Sequence, residues 1–171
     1  AELATDTASS ESVIAHTITW IEQNEGHRYD AIMLLEPASP FATGDHLSAA
    51  IKLYTSRKAD LVVGMRVAEP ASVFIGKRPK NGSIASIIGN MNTTTSHRRQ
   101  AHESEWTMNG AFYLIGWEAF KTSGKIYGNP EKCYGFLMDR WHSLEIETPE
   151  DLALADFATK NSCLNLSPWK E

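Results

Sequence analysis

The sequence predicts an α/β domain built on a largely parallel sheet. Two short apolar runs, 31–35 and 61–67, are bounded by turn residues, which is typical of strands buried on both faces. Between them lies a helical pattern that places Leu47, Ile51 and Tyr54 on one stripe. A strand, a helix and a strand in this order form a βαβ unit, and the fold class follows from that unit.

A helix of about four turns is predicted near the start of the chain. Asp6 and Thr7 are residue types that favour an N-cap, and Ile14, Ile18 and Ile21 then lie on one helical face. The pattern therefore places a helix directly before the first strand.

The stretch from about 69 to 108 has the weakest pattern, and we expect an insertion made of a hairpin and a long loop. Asn81 and Gly82 are a favoured two-residue turn pair, so 77–89 is predicted to form the hairpin. The polar, aperiodic stretch 90–105 is predicted to be a loop, and long loops in small domains are usually functional or mobile.

Regular structure is predicted again from residue 111 onwards. The run 111–115 predicts a strand, followed by a short helix that ends near Gly124. Residues 143–148 are predicted to form the last strand, after which Thr148 caps a helix with Pro149 at its first position. The whole chain, 1–171, is thus predicted to be a single domain.

The composition argues against a membrane protein, a nucleic-acid binder and a cysteine-based zinc or redox site. The chain has 171 residues, 42% of them apolar and 22% charged, without a signal peptide pattern or a run approaching the ~20 apolar residues of a membrane span. We therefore expect a cytoplasmic protein without a membrane partner. The net charge of −5 argues against nucleic acid as a partner. Cys133 and Cys163 fit no zinc or redox spacing and predict two reduced thiols.

Glu145 and Glu147 are the first candidates for chemistry. Two residues apart in a strand, they would project to the same side at a spacing of about 6.5–7 Å. The carboxyl ends of strands are where α/β sheets bind ligands, and two carboxylates there can hold Mg²⁺. A solvated face of an edge strand would have the same pattern, so the spacing alone leaves both interpretations open.

Three further stretches carry candidate polar groups, each with a plain structural alternative. Glu36 and Ser39 follow the first buried strand and can reach a substrate, or they belong to a simple connector. Asn109 and Gly110 precede a strand, where glycine lets a ligand approach the backbone or merely makes a turn. Ser9 lies at a helix start, which suits an anion or ordinary capping.

Other site types find little support in the sequence. His97 and His102 flank two arginines but lack the spacing and the further ligand of a zinc site, so a solvated loop that meets a carboxylate or phosphate fits better. No Ser-His-Asp or Cys-His nucleophile can be argued, and no Walker or dinucleotide-binding glycine pattern occurs.

Five stretches, taken in chain order, resemble the acylneuraminate cytidylyltransferase family, the CMP-sialic acid synthetases and their relatives. They are ELATDTASSE (2–11), LLEPASPF (34–41), RRQ (98–100), NGAFYL (109–114) and LEIETPEDL (144–152). The resemblance implies a Rossmann-like nucleotidyltransferase fold, usually a homodimer. It implies transfer of CMP from CTP to a nine-carbon acid sugar, with pyrophosphate released and magnesium neutralising phosphate charge.

The resemblance also implies roles for individual residues. Glu145 and Glu147 stand where the family has two metal-binding aspartates and would carry catalysis. The residues matched to substrate-binding positions are Ser9, Glu36, Ser39, Arg99, Gln100, Asn109, Gly110 and Tyr113. Glu36 replaces a glutamine that contacts the sugar, and we expect it to be protonated or paired, for instance with Arg99.

One part of the family pattern has no counterpart in this sequence: the first strands and the glycine-rich, basic loop that cradles the CTP triphosphate. We therefore expect an N-terminally truncated domain in which strand 31–35 exposes an apolar edge. A second copy, a swapped element or a separate polypeptide is expected to cover that edge, so a homodimer or higher oligomer is predicted.

Three functions remain in competition on the sequence alone, and whether the chain is an enzyme stays open. The first is a CMP-acid-sugar synthetase that is incomplete as this chain. The second is a non-catalytic binding or oligomerisation module derived from that family. The third, a metal-dependent hydrolase built on the two glutamates, lacks a visible base or nucleophile.

Overall fold

The computed structural model describes residues 3–5 and 7–167. Asp6, a candidate N-cap of the first helix, lies outside these residues. The strands are β1 Ala31–Leu35, β2 Leu61–Val67, β3 Trp106–Gly116 and β4 Cys133–Leu137. The helices are α1 Ser10–Asn24, α2 Gly44–Arg57, α3 Ala85–Met91, α4 Trp117–Ser123 and α5 Pro149–Lys160, with 3₁₀ turns at Ser72–Phe74, Arg99–Ala101 and Pro130–Lys132.

The four strands form one mixed sheet in the order β1-β3-β2-β4. The two apolar runs that predicted buried strands are β1 and β2, and the helix predicted between them is α2. β1 lies at one edge of the sheet, where it pairs with β3 from Ala31–Gly116 to Leu35–Phe112. The α/β class of the prediction is therefore confirmed.

The prediction of a largely parallel sheet is wrong, because two of the three strand pairings are antiparallel. β3 runs antiparallel to both β1 and β2, whereas β2 and β4 are parallel. The segment 68–105 connects β2 to β3 and brings the chain back to the carboxyl end of β2, where Val67 pairs with Trp106. A strand that starts beside the end of its neighbour runs antiparallel to it.

The hairpin predicted around Asn81 and Gly82 is also wrong. A turn does form there, with a left-handed φ of +72° at Gly82, but it leads into α3 and not into a strand. Ile84, Ile87 and Ile88 have the i, i+3, i+4 spacing of a helix face, a pattern that the strong turn pair concealed.

The last strand of the described sheet is β4 and not the predicted 143–148. β4 is hard to recognise because Gly135 interrupts its short apolar run. A glycine fits there because a Cβ would lie 2.7 Å from Cγ of Met65 on the neighbouring strand. Residues 144–147 form no regular secondary structure. We call 138–148, which connects β4 to α5, the strap.

Helices cover both faces of the sheet. Leu61 and Ile115 face the side covered by α1 and α4, where they pack in one buried cluster with Ile18 and Trp117. A second buried cluster on the opposite face joins the strands to α2. None of the helices in the described part of the chain is long and apolar enough to cross a membrane.

The cap predicted for the last helix is confirmed. Thr148 is the N-cap of α5, Pro149 occupies the first turn, and the Asp151 N–H donates to the Thr148 hydroxyl at 3.2 Å. The Asp151 carboxylate accepts the Thr148 N–H in return at 2.9 Å, which completes a capping box. This box fixes the point at which the strap enters α5.

Candidate active site

Three stretches that are far apart in the sequence meet beyond the carboxyl end of β1. The loop 36–43 follows β1, and the register of β3 brings Gly110 to the same end of the sheet. The strap joins them, because the Ile146 N–H donates to the Ala38 carbonyl oxygen at 2.8 Å. Ligands of open α/β sheets bind at this end of the strands, which makes the meeting point the candidate site.

Ser39 forms the floor of this meeting point. Its N–H donates to the Glu36 carbonyl oxygen at 3.0 Å, which tightens the loop, and its side chain is almost fully buried. The Ser39 hydroxyl donates to the Asn109 carbonyl oxygen at 3.2 Å and thereby ties the loop to β3. The structure thus brings Ser39 to the start of the NGAFYL stretch.

Gly110 is required at its position for two independent reasons. Its φ of +64° lies in the left-handed region that favours glycine. A Cβ would also collide with the Glu145 carboxylate and lie 3.2 Å from the Ser39 hydroxyl oxygen. The group that approaches the backbone at Gly110 is therefore the carboxylate of Glu145, held against β3 from the strap.

Asn109 supports the site from inside the protein. Its side chain is fully buried, and its Nδ2 donates to the Ser143 hydroxyl at 2.9 Å and to Sδ of Met138 at 3.3 Å. Nδ2 also donates to the Met65 carbonyl oxygen at 3.4 Å, while Oδ1 accepts the Ala111 N–H at 3.1 Å. The amide therefore fastens the strap to β2 and β3.

The two glutamates of the strap line a cleft of about 270 Å³. Glu145 is half-buried and Glu147 is exposed. Burial raises the pKa of the Glu145 carboxyl, and the carboxylate of Glu147 raises it further. Glu36 adds to this shift in pKa, whereas Arg66 opposes it. We call Glu36, Glu145 and Glu147 the acidic centre, since at Glu145 the repulsion from the other two carboxylates outweighs the attraction of Arg66.

Tyr113 borders the acidic centre from β3. Its ring is half-buried and lies edge-on to the ring of Tyr127, with centroids 6.3 Å apart. Burial raises the pKa of the Tyr113 hydroxyl, and so do Tyr127 and the carboxylates of Glu36 and Glu145. The phenol therefore keeps its proton at neutral pH and can act as a hydrogen-bond donor beside the carboxylates.

The remaining three candidates lie outside this meeting point. Ser9 is the exposed N-cap of α1, and its hydroxyl oxygen accepts the Ser12 N–H at 3.1 Å. Arg99 and Gln100 are exposed in the 3₁₀ turn Arg99–Ala101. Within 3–5 and 7–167, Arg99 forms no ion pair with Glu36 or another carboxylate, so the expected Glu36–Arg99 pair does not form.

A second polar cluster, which the sequence analysis missed, occupies the start of the strap. Asp139 and His142 are joined by a bond of 2.6 Å between Oδ2 and Nδ1, and the ring of His46 from α2 lies 4.9 Å from that of His142. One ligand atom from each residue lies within 4.8 Å of those of the other two. We call these three residues the histidine centre. The Asp-x-x-His spacing was a usable signal, but nothing in the sequence connected it to His46.

The acidic and histidine centres differ as metal sites. Of the described residues, only those of the histidine centre form a group of three potential His, Cys, Asp or Glu ligands this close together. Glu145 and Glu147 supply two carboxylates and would need water or substrate oxygens to complete the coordination of Mg²⁺.

A mixed α/β sheet with a polar cleft at the carboxyl ends of its strands fits an α/β nucleotidyltransferase.

No family model matches the chain. It is similar to the N-acylneuraminate cytidylyltransferase of Escherichia coli O18:K1:H7, with 29% identity over 155 residues that cover 90% of the chain. The enzyme of the same name from Streptococcus agalactiae serotype V is 23% identical over 150 residues, or 88% of the chain. The chain spans about a third of the length of these curated relatives, 34% in each case.

Proposed function

We propose that the chain is the part of a cytidylyltransferase that binds the acid sugar. Such an enzyme transfers CMP from CTP to a nine-carbon acid sugar of the sialic acid type and releases pyrophosphate. The observation that carries the proposal is the convergence of Ser39, Gly110, Tyr113 and Glu145 at one site. These residues come from three of the five stretches that resemble the family. The relatives named N-acylneuraminate cytidylyltransferase support the same assignment.

The acidic centre fits a divalent cation, and we propose Mg²⁺. Its donors are hard carboxylate oxygens, which Mg²⁺ prefers. Burial raises the pKa of Glu145, and the carboxylates of Glu147 and Glu36 raise it further; a cation would relieve this second, repulsive contribution. Glu145 and Glu147 would hold the ion, which when bound neutralises charge that develops on the phosphates during transfer.

The protein's own groups would bind and orient the acid sugar. Arg66 and Arg140 line the same cleft and offer positive charge to a carboxylate or phosphate. Tyr113 retains its proton and can donate a hydrogen bond to an anionic oxygen beside Glu145. Gly110 leaves the backbone open, so that the Glu145 carboxylate reaches into the site.

A non-catalytic binding module derived from the same family is the second candidate. It is favoured by the exposed positions of Arg99 and Gln100, which the described structure does not bring to the acidic centre. Such a module would bind the nucleotide or the sugar without turnover, or it would serve in oligomerisation.

A pyrophosphate-release assay with CTP, Mg²⁺ and N-acetylneuraminate, run together with binding of each ligand, separates these functions. The first proposal expects release that falls at least ~100-fold in Glu145→Gln. Glu150→Gln is the matched control, since Glu150 is exposed in the first turn of α5 and does not line the cleft. Ligand binding without release would support the module, and release that Glu145→Gln leaves unchanged would refute the acidic centre's role.

We also propose that a homodimer or higher oligomer covers the β1 edge of the sheet. A groove of about 750 Å³ runs between β1 and α2 and is lined by Met33, Ile51 and Tyr54 among others. An exposed edge strand beside an apolar groove favours pairing. Light scattering after gel filtration tests the proposal, and a monomer over the whole concentration range would refute it. A cytoplasmic location and the lack of a nucleic-acid partner remain predictions from composition.

A further inference from the structure

We propose that His46, Asp139 and His142 form a site for a transition-metal ion, with Zn²⁺ as the ion to test, separate from the acidic centre. The site would clamp the strap to the N-terminal end of α2. The proposal does not depend on nucleotidyl transfer, because none of these residues belongs to the acidic centre.

The first argument is the donor set. Two imidazoles and one carboxylate are ligands that Zn²⁺ accepts readily, with three protein ligands and one open position in many sites. Nitrogen donors select Zn²⁺ and similar ions over Mg²⁺, which requires oxygen ligands. The ligand atoms already lie within 4.8 Å of one another, against about 3.3 Å around a tetrahedral zinc ion. Small side-chain rotations would close that difference.

The second argument is that the backbone already fixes two of the ligands. Oδ1 of Asp139 accepts the N–H groups of Trp141 at 2.9 Å and His142 at 3.2 Å. Its Oδ2 lies 2.6 Å from Nδ1 of His142. A metal ion can take the place of the proton that these two atoms share, so that Oδ2 and Nδ1 both become ligands.

The third argument concerns His46, whose ring is oriented by the helix cap. Its Nδ1 accepts the Thr43 N–H at 3.1 Å and lies 3.2 Å from the Thr43 hydroxyl oxygen. Nε2 is therefore the nitrogen left for a metal. While Nδ1 accepts the Thr43 N–H it carries no proton, so metal binding at Nε2 moves the imidazole proton to Nδ1. The Thr43 N–H bond is then lost, and the Thr43 hydroxyl oxygen accepts the Nδ1 proton in its place. A hydrogen bond of this kind on the second nitrogen is the usual support of a metal-bound histidine.

An ordinary Asp–His hydrogen bond accounts for only part of this arrangement. It explains the contact between Asp139 and His142, and the helix cap and an edge-on contact with Phe136 hold the His46 ring. Neither requires the centroid of that ring to lie 4.9 Å from that of His142, at an interplanar angle of 75°. His46 and His142 lie 96 residues apart, yet the fold directs both side chains to one point. A shared ligand explains the convergence of all three side chains.

The test is titration of the metal-free full chain with Zn²⁺ by calorimetry, together with the visible absorption of bound Co²⁺. We expect one ion per chain and at least ~100-fold weaker binding in His46→Asn and His142→Ala. The His46→Asn variant retains an acceptor near the Nδ1 position for the helix cap while it removes Nε2. His16→Asn, at an exposed position on α1, is the matched control and should bind like the unmodified chain.

Two further measurements keep the outcome interpretable. Thermal unfolding without metal shows whether each variant folds, and added Zn²⁺ should raise the Tm of the unmodified chain and of His16→Asn only. Glu145→Gln should leave Zn²⁺ affinity unchanged, which separates this site from the acidic centre. Absence of binding, or equal affinity in folded His46→Asn and His16→Asn, would overturn the proposal. Displacement of Zn²⁺ by millimolar Mg²⁺ would also overturn it.

Discussion

The two ends of the strap carry carboxylates in opposite environments. At its start, Asp139 accepts two backbone N–H groups and bonds to the His142 ring. Partial burial alone would raise the pKa of Asp139, but the His142 backbone and side chain lower it below the usual range. Three residues beyond His142, Glu145 has other carboxylates as neighbours, and burial and Glu147 raise its pKa.

This contrast separates a carboxylate whose charge is satisfied in the metal-free chain from one whose charge is not. The charge of Asp139 is satisfied within the chain, so it stabilises the fold. The charge of Glu145 is opposed by its neighbours, so it costs stability unless a cation arrives. Unfavourable pKa shifts of this kind are concentrated at functional sites. The comparison predicts effects of opposite sign when the two charges are removed.

The largest effect is expected from Asn109→Ala, which removes the buried amide that fastens the strap to β2 and β3. The free energy of unfolding should fall by about 2–3 kcal/mol, because buried partners on the strap and on β2 lose their hydrogen bonds. Urea unfolding measures the loss, and amide hydrogen exchange over 138–148 should become faster. Ser143→Ala removes a single bond and should cost about 1 kcal/mol. Equal costs for the two variants would show that the Asn109 amide contributes only its bond to Ser143.

The next effect is the cost of filling the space beside Glu145. Gly110→Ala and Gly124→Ala both place alanine at a left-handed φ, +64° and +65°, which costs about 1 kcal/mol or more. Only at Gly110 would the new Cβ meet the Glu145 carboxylate, because nothing lies within 4 Å of the corresponding point at Gly124. The loss in free energy of unfolding should therefore be larger for Gly110→Ala by about 1 kcal/mol. Equal losses in chemical denaturation would mean that Glu145 moves aside freely.

The sequence predicted the elements whose signals are local. The apolar runs of β1 and β2, the periodicity of α1 and α2, and the Thr148–Asp151 capping box depend on neighbouring residues, and the structure agrees with them. The errors arose where tertiary contacts decide the outcome. The end at which the chain re-enters the sheet determines the direction of β3, and this depends on the path of 68–105.

The residues of the candidate site also fall into those that local signals predicted and those that depend on tertiary contacts. Glu36, Ser39 and Gly110 were predicted from loops next to strands, and the structure brings them towards Glu145. The histidine centre depends on a contact between α2 and the strap, across about 90 intervening residues. No periodic pattern reports a contact of this kind, so only the folded chain reveals it.

The third prediction concerns Asp139, whose charge is satisfied within the chain. Asp139→Asn should lower the free energy of unfolding at pH 7 by about 0.5–1 kcal/mol, a modest value because the Asp139 side chain is 56% exposed. A carboxyl with a lowered pKa contributes stability above its unfolded pKa and loses it as the pH falls through the folded value. The difference between variant and unmodified chain should therefore shrink below about pH 3.8. A difference that persists unchanged in acid would assign the effect to packing instead of charge.

The smallest effect on stability is expected from removing the charge of Glu145, and it has the opposite sign to that of Asp139→Asn. Glu145→Gln should raise the Tm at pH 7 by roughly 1–2 °C in metal-free buffer, because it removes a half-buried charge that faces Glu147 and Glu36. A carboxyl with a raised pKa destabilises the folded chain only when it is ionised. The gain should therefore be absent well below pH 4.5, grow as the pH rises through that value, and level off once the folded carboxyl is ionised. Glu147→Gln, at an exposed position, should give a smaller gain with the same sign. If Glu145→Gln lowers the Tm as Asp139→Asn does, the two ends of the strap are alike and the acidic centre has no excess of charge for a cation to relieve.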